Sequence, residues 1–229
     1  SSLCRAGHAL FLDCRSRLTH HVPLPTDVVV AVCDTGVRRT LAESAYAARR
    51  GECEAAVRWL ADAGHAARSL RDLTADALPL VETMPEPLRR RARHVATENA
   101  RVVATAQALE GGQLERLREI FLASHRSLRN DYEVSGAELD AMVDAALGAP
   151  GCLAARMTGA GFGGAVVALV QRTQCGDFLH TAGFVEFDDA AAHFPVLTFL
   201  GHLPLPVRPR RNLRQMRHAQ HLALASERL

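Results

Sequence analysis

Four glycines fall within six residues, Gly159-Ala-Gly161-Phe-Gly163-Gly164, between two apolar stretches at 152–158 and 165–170. This arrangement constrains the fold more than any other in the chain. Small and β-branched apolar residues on either side predict strands. The glycines between them predict a tight strand–loop–strand turn whose backbone comes very close to something. The same letters satisfy the GxGxxG pattern, but dinucleotide binding requires a helix straight after the third glycine, because the pyrophosphate rests on that helix's N-terminus. Ala-Val-Val-Ala-Leu-Val follows instead, so the required context fails. From the residues alone, a structural turn and a phosphate-contacting loop both remain open.

The rest of the chain reads as strands followed by helices. Residues 8–14 predict a strand, then a turn-rich stretch carries Pro23 and Pro25. Val28 to Cys33 is an unbroken apolar run, the pattern of a buried strand, and it ends at the turn Asp34-Thr-Gly36. Thr40-Leu-Ala-Glu43 has capping-box spacing and opens a helix on which Leu41, Ala45, Ala48, Cys53, Val57 and Leu60 recur. A second helix is expected from Pro87 to Leu109, ended by Gly111-Gly112. A third carries Leu114, Leu117, Ile120, Phe121 and Leu128. Ser135-Gly-Ala-Glu138 repeats the capping-box spacing before a short helix with Leu139, Met142, Val143 and Ala146, closed by Gly148. After Val170, Pro, Arg and five of the eleven His mix without sustained periodicity, and only 212–228 looks helical. The sum is an α+β fold: a small mixed or antiparallel sheet covered on one side by helices.

Composition narrows the function classes. At 229 residues and 48% apolar, the chain is globular and long enough to bury a core. A net charge of +2 argues against a dedicated nucleic-acid binder. All 27 basic residues are Arg, so no Lys serves as a phosphate ligand or Schiff-base former. Six Cys without CxxC or zinc spacing read as buried thiols in a reducing compartment. The apolar runs are too short to span a membrane, and the first residues are not a signal peptide. They also lack Met and begin in mid-element, so the chain reads as a piece of something longer.

Several residues could carry chemistry. Arg38 and Arg39 flank the first helix start, where guanidinium and amide N–H groups suit an anion, but a solvated first turn is the better reading of the residues alone. Tyr46 is a core-edge residue or a hydroxyl offered to a sugar. The run Arg89 to Arg93 before His94 reads as a basic exposed face with a packed His. Residues 125–135 form a polar connection held by Asp131 and the Ser135 cap. His218-x-x-His221 lacks a third metal ligand, and Arg208-Pro-Arg-Arg-Asn-Leu-Arg214 lacks interleaved aromatics.

Six stretches in order carry a resemblance. They are Gly7-His-Ala-Leu-Phe-Leu-Asp-Cys-Arg-Ser16, Cys33-Asp-Thr-Gly-Val-Arg-Arg-Thr-Leu-Ala42, Ser44-Ala-Tyr-Ala-Ala-Arg-Arg50, Arg91-Ala-Arg-His-Val95, Ser124-His-Arg-Ser-Leu-Arg-Asn-Asp-Tyr-Glu-Val-Ser135 and Arg156-Met-Thr-Gly-Ala-Gly-Phe-Gly-Gly164. Together they resemble galactokinases of the GHMP-kinase family, the last stretch being similar to that family's third motif. The resemblance implies residues 1–26 as the end of the ATP-binding N-terminal domain, 27–170 as the C-terminal domain, and 171–229 as an atypical tail, frame-shifted or replaced. It implies transfer of the ATP γ-phosphoryl to O1 of α-D-galactose with Mg²⁺, in a cytoplasmic monomer with no nucleic-acid or membrane partner. Tyr46 matches a galactose-contacting Tyr. Arg38 and Thr40, with Gly159, Gly161, Gly163 and Gly164, match positions near the nucleotide. The base Asp, the transition-state Arg and the metal ligands are expected upstream of Ser1, so the chain alone is expected to be inactive. A sugar-sensing regulator and an N-acetylgalactosamine kinase are the alternative readings.

Overall fold

The structure is a computed structural model that describes residues 3–37, 42–182, 184–187 and 196–199. Thr40 and Arg38, the expected helix at 212–228, His218, His221 and the Arg208–Arg214 stretch lie outside the described residues.

Strands β1 (His8–Leu12) and β2 (Thr19–Pro23) pair antiparallel as a separate two-stranded sheet. The main sheet starts with β3 (Val28–Asp34) and gains β4 (Cys152–Thr158) and β5 (Ala165–Gln171) far along the chain. Its last strands, β6 (Phe184–Phe187) and β7 (Val196–Phe199), complete the order β4-β5-β3-β7-β6. The β3–β7 pair is parallel and the others are antiparallel, so the sheet is mixed, as expected. Helices α1 (Ala42–Asp62), α2 (Leu78–Val81), α3 (Leu88–Glu110), α4 (Leu114–Asn130) and α5 (Ala137–Gly148) lie between β3 and β4. Helix α6 (Cys175–Ala182) follows β5.

The sheet is buried on both faces, which corrects the expectation of cover on one side. Ala31 and Cys33 of β3, Ala155 and Met157 of β4, and Val166, Ala168 and Val170 of β5 pack with Leu139, Met142, Val143, Ala146 and Phe178 from α5 and α6. Val28, Ala154 and Leu169, on the opposite face, pack with Ala108, Leu109 and Leu117 from α3 and α4. The unbroken run Ala-Val-Val-Ala-Leu-Val in β5 carries the signal, since a strand wet on one face would alternate. Ala154 and Ala155 are both buried on successive positions because they face opposite, equally covered sides of the sheet.

Helix ends follow the local chemistry. Gly112 takes a left-handed φ of 65° after α3, and Gln113 donates to the Ala108 carbonyl, closing the helix with the turn that Gly makes cheap. At α5 the capping-box expectation is corrected: Gly136 sits at the N-cap and the Ser135 hydroxyl donates to Asp140, 2.6 Å. A third apolar cluster joins Ala56 and Leu60 of α1 to Val81, Met84, Ala92 and Ala96, so α1 docks on α3 rather than on the sheet.

Candidate functional site

The β4–β5 turn is the candidate site. Gly161 shows why glycine is required. Its φ is 82°, and a Cβ placed on it would lie 2.3 Å from the Val134 carbonyl oxygen, so no other residue fits without displacing the backbone. Phe162, itself at φ 59°, donates its amide to the same Val134 oxygen at 2.7 Å. At the other end of the turn, the Gly164 carbonyl accepts both the amide (2.9 Å) and the hydroxyl (2.7 Å) of Thr35. The Gly164 amide donates to Val37 at 3.3 Å. The loop is thus fixed from two sides: by the connection between α4 and α5, and by the segment that leaves β3 toward α1. The amides of Ala160 and Gly163 donate to no carbonyl among the described residues.

The α4–α5 connection is itself clamped by a buried ionic network. Arg91, only 1% exposed, donates to Glu52 of α1 (2.6 Å), to Glu133 (2.6 Å) and to the Asp131 carbonyl. Arg90 also pairs with Glu133, and Arg49 of α1 bonds Glu52 at 2.7 Å. Bonding to Arg91, aided by Arg90, holds the Glu133 carboxyl below the usual carboxylate range. Burial pushes Glu52 upward most strongly, but bonds and charge from Arg91 and Arg49 together outweigh it, so it too stays ionised. The basic-face reading of Arg89 to Arg93 is therefore corrected at Arg91.

Beside this network, Ser127 donates its single hydroxyl proton to Asp131, 2.9 Å, and lies 3.0 Å from Nδ1 of His94. The serine oxygen can then only accept from the imidazole, so His94 carries its proton on Nδ1. Burial pushes His94 down to about 4, keeping it neutral at pH 7. Its ring stacks on Tyr132 with centroids 4.6 Å apart. The Tyr132 hydroxyl lies 3.6 Å from Cys53 of α1, and burial pushes that phenol up.

Of the residues anticipated from sequence, Gly159, Gly161, Gly163 and Gly164 form one loop. Tyr46 stands two turns before Cys53 on α1 and is 53% exposed. Arg38 and Thr40 lie outside the described residues. Thr35, Arg91 and Glu133 were not anticipated. Arg91 had a signal: it falls three residues after Leu88 and four before Val95, on the apolar stripe of α3.

Residues 105–178 match the family described as GHMP kinases C terminal. The galactokinase of Roseiflexus sp. (strain RS-1) is 48% identical over 177 residues, 77% of this chain and 45% of that protein. The galactokinase of Chloroflexus aurantiacus is 48% identical over 171 residues, 74% of this chain and 44% of that one. Among solved structures, Lactococcus lactis galactokinase complexed with galactose matches with a TM-score of 0.70 and 35% identity, over 77% of this chain and 46% of that chain. The glycine loop lies within the residues that match the C-terminal domain of the GHMP kinases, and the fold is similar to that of a galactokinase. The relatives that the chain matches are galactokinases, and it spans under half their length.

Proposed function

We propose that this chain forms the C-terminal half of a kinase that transfers the γ-phosphoryl of ATP to O1 of α-D-galactose. The observation that carries this reading is the match, at 35% identity and a TM-score of 0.70, to a galactokinase complexed with galactose. Phosphoryl transfer relies on positioning and on donors aimed at the phosphates. On this reading the glycine loop borders the phosphates through its backbone, with Arg38 and Thr40 close to the nucleotide. The Tyr46 hydroxyl, exposed on α1, contacts the sugar.

ATP fits the loop, whose left-handed glycines allow close backbone approach and whose Ala160 and Gly163 amides have no carbonyl partner among the described residues. No group of three or more His, Cys, Asp or Glu side chains that could hold a metal occurs among the described residues. The Mg²⁺ ligands, the base Asp and the transition-state Arg are proposed to lie outside these residues. No helix among the described residues is long and apolar enough to cross a membrane. A cytoplasmic monomer is the proposed state.

The test is galactose-dependent ADP release. The full gene product, with whatever precedes Ser1, is expected to turn over with MgATP and galactose, and Tyr46→Phe is expected to raise the galactose KM about tenfold. A polypeptide of only these 229 residues is expected to release no ADP. Turnover of N-acetylgalactosamine in preference to galactose, or binding without turnover by the full product, would overturn the reading.

A further inference from the structure

We infer that the Asn130–Ser135 connection is a positioning strut for the reaction, clamped by Arg91 and Glu133, that sets the glycine loop and the Tyr46-bearing helix α1 in one fixed relation. This rests on the proposed phosphoryl-transfer reading.

Three observations converge on it. First, the strut meets the loop through a backbone hydrogen bond, beside the packing of Phe162 on the cluster that holds Val134. The Val134 carbonyl receives the Phe162 amide at 2.7 Å and occupies the space a Gly161 side chain would need. A backbone contact of this kind transmits position, because neither partner can rotate away as a side chain can.

Second, the strut is held from α1 and α3 at once. Arg91 of α3 reaches Glu52 of α1 with one nitrogen and Glu133 of the strut with another. Arg49 of α1 lies 3.6 Å from the same Glu133 carboxylate and 3.5 Å from the Glu133 carbonyl. Tyr132 adds a contact to Cys53 of α1. Glu133 itself sits at φ 55°, a left-handed conformation that a non-glycine residue keeps only when its surroundings impose it.

Third, the network is costlier than a surface would need. Arg91 is almost fully buried, and a buried ion pair adds little net stability over an apolar substitute. An apolar side chain at position 91 would fill the volume but could not hold Glu52, the Asp131 carbonyl and Glu133 in one register. Arg91 and Glu133 touch neither sugar nor nucleotide on this reading; they act through Val134 and through α1.

The test compares Glu133→Gln with Leu117→Ala in the full gene product. Leu117 packs on the far face of the sheet, so its truncation destabilises without touching the strut. Both variants are assayed well below their Tm. Glu133→Gln is expected to lower kcat about tenfold and to raise the KM for ATP several-fold, as misplacement of remote groups does. Its Phe162 amide is expected to exchange about tenfold faster with deuterium as the open loop becomes more populated. Leu117→Ala, at a matched loss of Tm, is expected to leave kcat, the ATP KM and Phe162 exchange within about twofold. If Glu133→Gln does not fold, Arg90→Ala weakens the same carboxylate from the solvent side and should shift the same readouts less. Equal kinetic losses per degree of Tm in both variants, or unchanged kinetics and exchange in the strut variant, overturn the inference. If the wild-type product does not turn over galactose, the reaction reading fails, and Phe162 exchange alone then decides the strut.

Discussion

At the scale of single residues, the most consequential is Arg91. It serves two carboxylates and a backbone carbonyl while 1% exposed. Removing Arg91 leaves Glu52 and Glu133 part-exposed and still paired with Arg49 and Arg90, so the cost falls below that of an unpaired buried charge. Arg91→Met is therefore expected to lower the unfolding free energy by about 1–3 kcal/mol, read from urea curves with an unchanged m value. A loss below about 1 kcal/mol would mean that Arg90 and Arg49 hold Glu133 and Glu52 unaided. The sequence carried part of this residue's story. Its place on the apolar stripe of α3 was readable, but four arginines within 89–93, interrupted only by Ala92, look like a solvated face. Nothing local reveals that Glu52, thirty-nine residues earlier, is its partner, because ion-pair partners are set by tertiary docking. The expectation of six buried thiols is corrected at Cys4 and Cys14, which are exposed; buried Cys33, pushed up to about 12 chiefly by its loss of solvent, behaves as a small apolar side chain.

Elements divide by how much local pattern they carry. Helices α3 and α4 were legible because their apolar positions recur over four or more turns between clear stops. Strands β3, β4 and β5 were legible from continuous apolar runs, and their glycine turn was legible because no helix could follow it. Strand β2 escaped because Thr-His-His-Val-Pro buries only Val22, so its side chains show no core face. Helix α6 escaped because eight residues containing Gly176 give barely two turns of periodicity. What docks it is chiefly Phe178, fully buried in the α5–sheet core with Ala182 and Leu179 of the same helix beside it. Phe178→Ala is expected to cost about 3–5 kcal/mol. Amides of α6 should lose exchange protection before those of β3 and β5, since the strands keep their own pairing. Simultaneous loss throughout the sheet would show that α6 is part of the same cooperative unit as β5. The candidate site was legible in the same uneven way. The loop was found from its glycines, whereas the strut that holds it was seen only as a polar connection, since its function depends on Val134 meeting Gly161 across twenty-seven residues.

For the molecule as a whole, buried titratable groups set how stability responds to acid. His94 is neutral in the fold and pushed down to about 4, first by burial, with Arg101 and Arg156 adding to it and Glu98 and Asp131 opposing. In the unfolded chain it titrates near 6.5. A group whose folded pKa is depressed gives stability that is fully present above its unfolded pKa. For His94 that stability is lost as pH falls from 6.5 toward 4, where the unfolded chain binds a proton that the fold refuses. The full effect is about 3 kcal/mol at one pKa unit per 1.36 kcal/mol. His125, 4% exposed and pushed down by burial against the pull of Asp140 and Asp144, acts in the same direction. The carboxylates come later. Glu98 remains low because bonds from Ser124 and Arg101 and the Arg156 charge outweigh its own burial, and Glu133 is held low by Arg91. Their contribution is present above about 4.5 and disappears as pH falls further. Acid should therefore weaken the fold in two stages: histidines first between 6.5 and 4, then the ionic network. Urea unfolding between pH 7.5 and 5 is expected to show a falling free energy in the wild type and a shallower fall in His94→Gln, with His125 supplying the remainder. A wild-type free energy that stays level across that range would mean that His94 takes up its proton in the fold as readily as in the unfolded chain. The stacked Tyr132 and the Ser127–Asp131 pair would then have to admit an imidazolium, which the single proton of the Ser127 hydroxyl allows only if the ring still donates through Nδ1 and finds a new acceptor for Nε2.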